Sequence, residues 1–141
     1  MIFLPLIPPL VAVLVAQLLK TIFALMHGQF SWHVLRRYGG MPSSHSALVV
    51  GLVTQAVLTD GWASTTTAIA IAFAVLTIRD ATGFRRTLGQ YAASINSLVG
   101  QLPAKQQADF TYLDEVVGHT PLQVLAGSII GIIVVLGWAW L

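Results

Sequence analysis

The chain has 141 residues, of which 56% are apolar and only 9% charged, with a net charge of +2 and no cysteine. Soluble domains carry roughly 25% charged residues, so a water-soluble helical bundle of this composition would lack the charge to cover its surface. The length suits one domain over residues 1–141, the missing cysteines remove disulfide and thiolate chemistry, and nothing in the charge balance points to nucleic acid.

Three stretches, Ile2–Leu19, Gly61–Ile78 and Val124–Leu141, contain no charged residue, and a shorter one, Ser46–Thr59, is equally uncharged. A bilayer core about 30 Å thick takes about 20 helical residues. The pattern therefore predicts an all-α, multi-pass transmembrane bundle of about four main spans. The first covers Phe3 to about Leu25, with Pro5, Pro8 and Pro9 near its entrance, where missing amide donors cost least. Its N-terminal end lacks a basic region and a cleavage signal and reads as a retained span. A polar re-entry, Met26–Ser44, follows. The second span begins at Pro42–His45 and ends near Leu58, the turn Asp60–Gly61 reverses the chain, and the third runs from Trp62 to Ile78.

Asp80 to Gly118 is a polar excursion opened by a cationic loop, Arg79-Asp-Ala-Thr-Gly-Phe-Arg-Arg86. Within it Thr87–Leu98 forms an interfacial helix with an apolar side at Leu88, Tyr91, Ala92, Ile95 and Leu98. The fourth span runs from Thr120 to Leu141, with Pro121 at an early helical position and the small pair Gly127 and Gly131 permitting close helix contact.

Alternating four spans brings Lys20, His45, Arg79, Asp80, Arg85, Arg86 and His119 to one membrane face and places both chain ends on the other. All seven lysines and arginines (Lys20, Arg36, Arg37, Arg79, Arg85, Arg86 and Lys105) gather on the shared face. That makes it the cytoplasmic face, or the stromal one in a plastid.

Two histidines there begin helices. Ser43 or Ser44 can cap the second span, leaving His45 in its first turn, where unpaired amides and the helix dipole receive a phosphate. His119 opens the fourth span, and Gln123, four residues on, lies on the same helical face. Its amide can accept a hydrogen bond from one imidazole nitrogen and leave the other free to attack. Arg85 and Arg86 offer planar donors for phosphate, Asp80 can steer them by pairing, and Gly83 allows the turn. Lys20 is deep for a charge in an apolar span and calls for a polar partner. His27, His33, Arg36, Arg37 and Lys105 are read as interfacial or anchoring residues. The four histidines have no compact metal-ligand spacing, and no cofactor is expected.

The segments Gly39-Gly-Met-Pro-Ser-Ser-His-Ser-Ala47, Asp80-Ala-Thr-Gly-Phe-Arg-Arg86 and Gly118-His-Thr-Pro-Leu-Gln-Val-Leu-Ala-Gly127, in this order, resemble the divergent branch of the PAP2 family. That family is related to acid phosphatases and vanadium-dependent haloperoxidases. The resemblance implies His119 as the nucleophile, Gln123 in the place of the aspartate that orients it, and His45 as the acid for the leaving group. It implies phosphate binding by Lys20, Arg85, Arg86 and Ser44, with Asp80 and Gly83 in support. The Arg-Pro usually following the lysine is not found, and Tyr112-Leu113 stand where a Ser-Arg pair would precede the nucleophile. Two functions follow as expectations. One is metal-independent hydrolysis of a membrane lipid phosphate or prenyl (di)phosphate. The other is non-catalytic binding of such a lipid, or service as a small subunit of a larger membrane complex.

Overall fold

The computed structural model describes residues 4–26, 28 and 40–141, and the regular elements among these are all helical, without a strand. His27, Trp32, His33, Arg36, Arg37, Tyr38 and Gly39 lie outside the described residues. After one 3-10 turn at Leu4–Leu6 come α1 (Ile7–Met26), α2 (Ser44–Asp60), α3 (Thr65–Thr82), α4 (Phe84–Gly100), the single-turn α5 (Ala104–Gln107) and α6 (Pro121–Trp138). Among the described residues three runs are long and apolar enough to cross a membrane: Ile7–Met26, Thr65–Gly100 and Pro121–Trp138. With 17 residues, α2 is shorter. It nevertheless forms the centre of the bundle, packed against α1, α3 and α6.

Sequence chemistry explains where the helices begin. Pro8 and Pro9 lie in the first turn of α1, where an amide would have no partner. Ser43 caps α2 by accepting from Ser46 N–H at 3.2 Å, and Ser64 caps α3 in the same way from Thr67 N–H at 3.1 Å. Thr120 and Gln123 form a reciprocal capping box on α6, with Pro121 just inside.

The interior is built from small residues. Ala12 and Ala16 of α1 meet Ala47 of α2 with no exposed surface. A methyl group on Gly131 would come within 2.5 Å of the Ala47 carbonyl, and one on Gly127 would collide with the Ser43 carbonyl. Large apolar side chains point outward instead: Leu14 is 68% exposed, Leu76 67% and Ile133 63%. Water would penalise such a surface, whereas lipid tails solvate it. Helix association in lipid rests on close van der Waals contact, which the glycines and alanines allow.

One end of the bundle gathers the polar groups. There Lys20 of α1 lies beneath Gly40, Ser43 N–H donates to the Gln123 carbonyl at 3.1 Å, and His119 N–H donates to the Ala81 carbonyl at 3.0 Å. The chain thus alternates direction as expected, and the end of α1, the start of α2, the end of α3 and the start of α6 meet. The cationic loop expected at residues 79–86 takes a different form. Nothing before Gly83 interrupts the helix, so Arg79 to Thr82 are the last turn of α3, and Arg85 and Arg86 are already in α4. Gly83, with φ −99° and ψ −92°, makes an elbow, and a methyl group there would press on the Arg79 carbonyl.

Candidate functional site

His119 is held on both sides. Its backbone N–H is fixed to Ala81 at the end of α3, and its side chain is buried, 4% exposed. The Gln123 Oε1 accepts from Thr120 N–H at 3.0 Å and lies 3.3 Å from His119 Nδ1. Because the capping bond demands that this atom be the amide oxygen, it also accepts from His119, and Nδ1 carries the hydrogen. The unprotonated nitrogen is then Nε2, which is buried and has no hydrogen-bond partner among the described residues. Burial, above all, lowers the affinity of His119 for a proton, and the charges of His45 and Lys20 act in the same direction, against the Gln123 bond and the nearby Gly40 backbone. A neutral imidazole results.

His45 stands opposite, in the first turn of α2, with its ring centroid 6.3 Å from that of His119 and the planes tilted by 59°. Between them is a cavity of about 30 Å³ lined by His45, Thr77, Asp80, Ala81, Arg85 and His119. Thr77, Asp80 and Ala81 share one face of the last turns of α3. The elbow at Gly83 carries Arg85 back over them, so that Arg85 Nε donates to Asp80 Oδ2 at 2.6 Å. Both partners are partly exposed (40% and 44%), so the pair steers the guanidinium more than it stabilises the fold. The cavity is about the size of one water.

Lys20, buried at 7% exposure, lies close enough to act on the charge of His119. Gly40, at φ +106°, covers it, and a side chain at that position would strike the lysine Cε. Like Lys20, the expected residues Gln123, Gly83, Ser44 and Arg86 are not in the cavity lining. Ser44 sits half-buried behind the cap, a role that falls to Ser43, and Arg86 is exposed, with its backbone packed against Gly118. Thr77 and Ala81 line the cavity but were not anticipated. Thr77 lies three residues before Asp80 and four before Ala81, and that spacing, on a helix that continues to Thr82, is the signal that would have found them. Among the described residues no three of His, Asp or Glu are gathered to hold a metal ion.

A helical bundle with lipid-facing apolar surface and a histidine pair beside a cationic elbow defines a small integral membrane protein with a histidine-lined pocket at one end. The chain belongs to the divergent PAP2 family, whose pattern matches residues 4–134. It is also similar to the uncharacterized membrane protein YuiD of Bacillus subtilis (strain 168), with 36% identity over 148 residues, covering 96% of this chain and 94% of that protein. No solved structure matches.

Proposed function

We propose that the protein is a phosphohydrolase for a membrane lipid phosphate or prenyl (di)phosphate, with His119 as nucleophile. The observation that carries this reading is the buried, unpartnered Nε2 of His119, set opposite His45 beside Arg85. Lys20 and Arg85 hold the phosphoryl oxygens, with the phosphate replacing Asp80 at the arginine, while Arg86 draws the anionic head group by charge. Ser44, next to the α2 cap, supports the amides of that helix start. His119 Nε2 attacks phosphorus, a P–N bond forms, and the P–O bond to the lipid breaks as His45 gives its proton to the leaving oxygen. His45, now neutral, takes a proton from water. The resulting hydroxide oxygen bonds to phosphorus, the P–N bond breaks, and inorganic phosphate leaves. Neither step requires a metal. The site faces the cytoplasm or stroma, with both chain ends on the opposite side.

A second reading is a lipid-phosphate binder or the subunit of a membrane complex. Gln123 favours it, since an amide provides no charge to stabilise an imidazolium, and so does the narrow cavity. Phosphate release from prenyl phosphates, prenyl diphosphates and phosphatidic acid separates the two, measured with a chelator present and with lipid binding followed on the same samples. His119→Ala and His119→Gln should abolish release and phosphohistidine formation while binding survives. Release undiminished in both variants overturns His119 as nucleophile. Binding without release by wild type and Gln123→Glu across the panel establishes the second reading.

A further inference from the structure

The last turns of α3 have two opposite faces. Thr77, Asp80 and Ala81 look into the histidine cavity. Arg79 looks away from it, one turn beyond the exposed Val75 and Leu76, at the end of the lipid-facing surface of this helix. The Gly83 elbow sets α4 against that surface, and a cleft of about 610 Å³ opens there, lined among others by Arg79, Phe84, Leu88 and Tyr91. Arg79 has no ion pair among the described residues, since the pair at the elbow is made by Arg85.

The three sides of α4 have different fates. Gly89, Ala92 and Asn96 are buried beneath the returning chain, with Asn96 Nδ2 donating to the Leu113 carbonyl at 2.9 Å and its Oδ1 accepting from Leu113 N–H at 3.0 Å. Gln90, Ser94, Ser97 and Gln101 form an exposed polar side. Phe84, Leu88, Tyr91, Ile95 and Leu98, recurring every three or four residues, remain exposed, from 42% at Ile95 to 73% at Phe84. The first three of these, Phe84, Leu88 and Tyr91, line the cleft, and the stripe continues the lipid-facing surface of α3.

We propose that the elbow of α3 and α4 is a binding site for an anionic phospholipid, with its phosphate on Arg79 and an acyl chain along Phe84, Leu88 and Tyr91. A cation at the end of a lipid-facing helix lies at head-group depth, and guanidinium pairs with phosphate in planar, bidentate fashion. An amphipathic helix lying in the interface supplies the apolar floor. The site lies on the other side of α3 from the histidines and stands independently of any hydrolysis there.

The absence of native cysteines permits a clean test. Full-length protein carrying a bimane label at Leu88→Cys, or at Gln90→Cys as the polar-side control, is reconstituted into phosphatidylcholine vesicles. Each holds a small fraction of brominated phosphatidylcholine or brominated phosphatidylglycerol as quencher. The label at position 88 should be quenched several-fold more efficiently by the anionic lipid, and the label at 90 by neither. Arg79→Gln should reduce that preference to near unity, while Lys105→Gln, which removes the same charge elsewhere, should preserve it. Equal quenching by the two lipids, or a preference that survives Arg79→Gln, overturns the proposal. An unquenched label at 88, with Leu88→Cys forming disulfides between copies, would overturn it in favour of a second copy on the stripe.

Discussion

Replacing Gln123 by glutamate tests how His119 is set. The substitution keeps the side chain's length and both of its acceptor roles, toward Thr120 N–H at 3.0 Å and His119 Nδ1 at 3.3 Å, and adds one negative charge. Opposite charges about 4 Å apart attract by about 4 kcal/mol at an effective dielectric constant of about 20. Gln123 is half-buried, so water weakens this, and about 1.5–3 kcal/mol of imidazolium stabilisation is expected, a roughly tenfold to hundredfold rise in the protonation constant. The fold should tolerate the change, because a carboxylate at a helix N-terminus contributes about 0.3–1 kcal/mol. Gln123→Leu removes both acceptors and should cost about 1 kcal/mol through the lost cap. The assay is a pH titration of 15N-histidine resonances in detergent micelles, with His119 assigned by comparison with His119→Gln. In the phosphatase reading, release should also quicken, since the imidazolium formed on attack gains a counter-charge. A His119 midpoint unchanged by Gln123→Glu would refute the geometry, showing that the amide does not govern Nδ1.

The burial of His119 has a consequence for stability. Its folded-state proton affinity lies below the ordinary value of 6.5, so the unfolded chain takes up a proton first, and this contribution is complete above pH 6.5 and declines as pH falls below it. Thermal unfolding in detergent should therefore lose stability on acidification through that range, and His119→Gln should flatten the dependence. Gly131→Leu forces a side chain against the Ala47 carbonyl and Gly51 N, 2.5 and 2.9 Å from where its Cβ would lie. Parting α2 from α6 should cost about 1–3 kcal/mol, read as a lower midpoint of thermal unfolding, whereas Gly137→Ala, with open space around it, should change little. Reporter fusions after Leu141 should report the face opposite the lysines and arginines. A cytoplasmic reporter would overturn the paired-span topology.

Much of the architecture can be read in the order of residues because lipid imposes a simple rule. Backbone amides in an apolar solvent must be satisfied within the chain, so uncharged runs of about 20 residues imply helices, and serine, threonine and proline mark their starts. His119 and Gln123 share one short helical start, and their contact follows from spacing alone. Local pattern could not decide what lies between elements distant along the chain. Whether Ser43 or Ser44 would cap α2 was open by residue type, and it is the docking of Ser43 N–H onto Gln123 of α6 that accompanies the choice. Arg85 and Arg86 are equivalent in sequence, yet successive helical residues point about 100° apart, and the Gly83 elbow turns Arg85 to Asp80 and leaves Arg86 outside. The inward faces of α1, α2 and α6 were marked by alanine and glycine, but their meeting set the separation of His45 and His119. That distance depends on packing between helices, which no local spacing encodes.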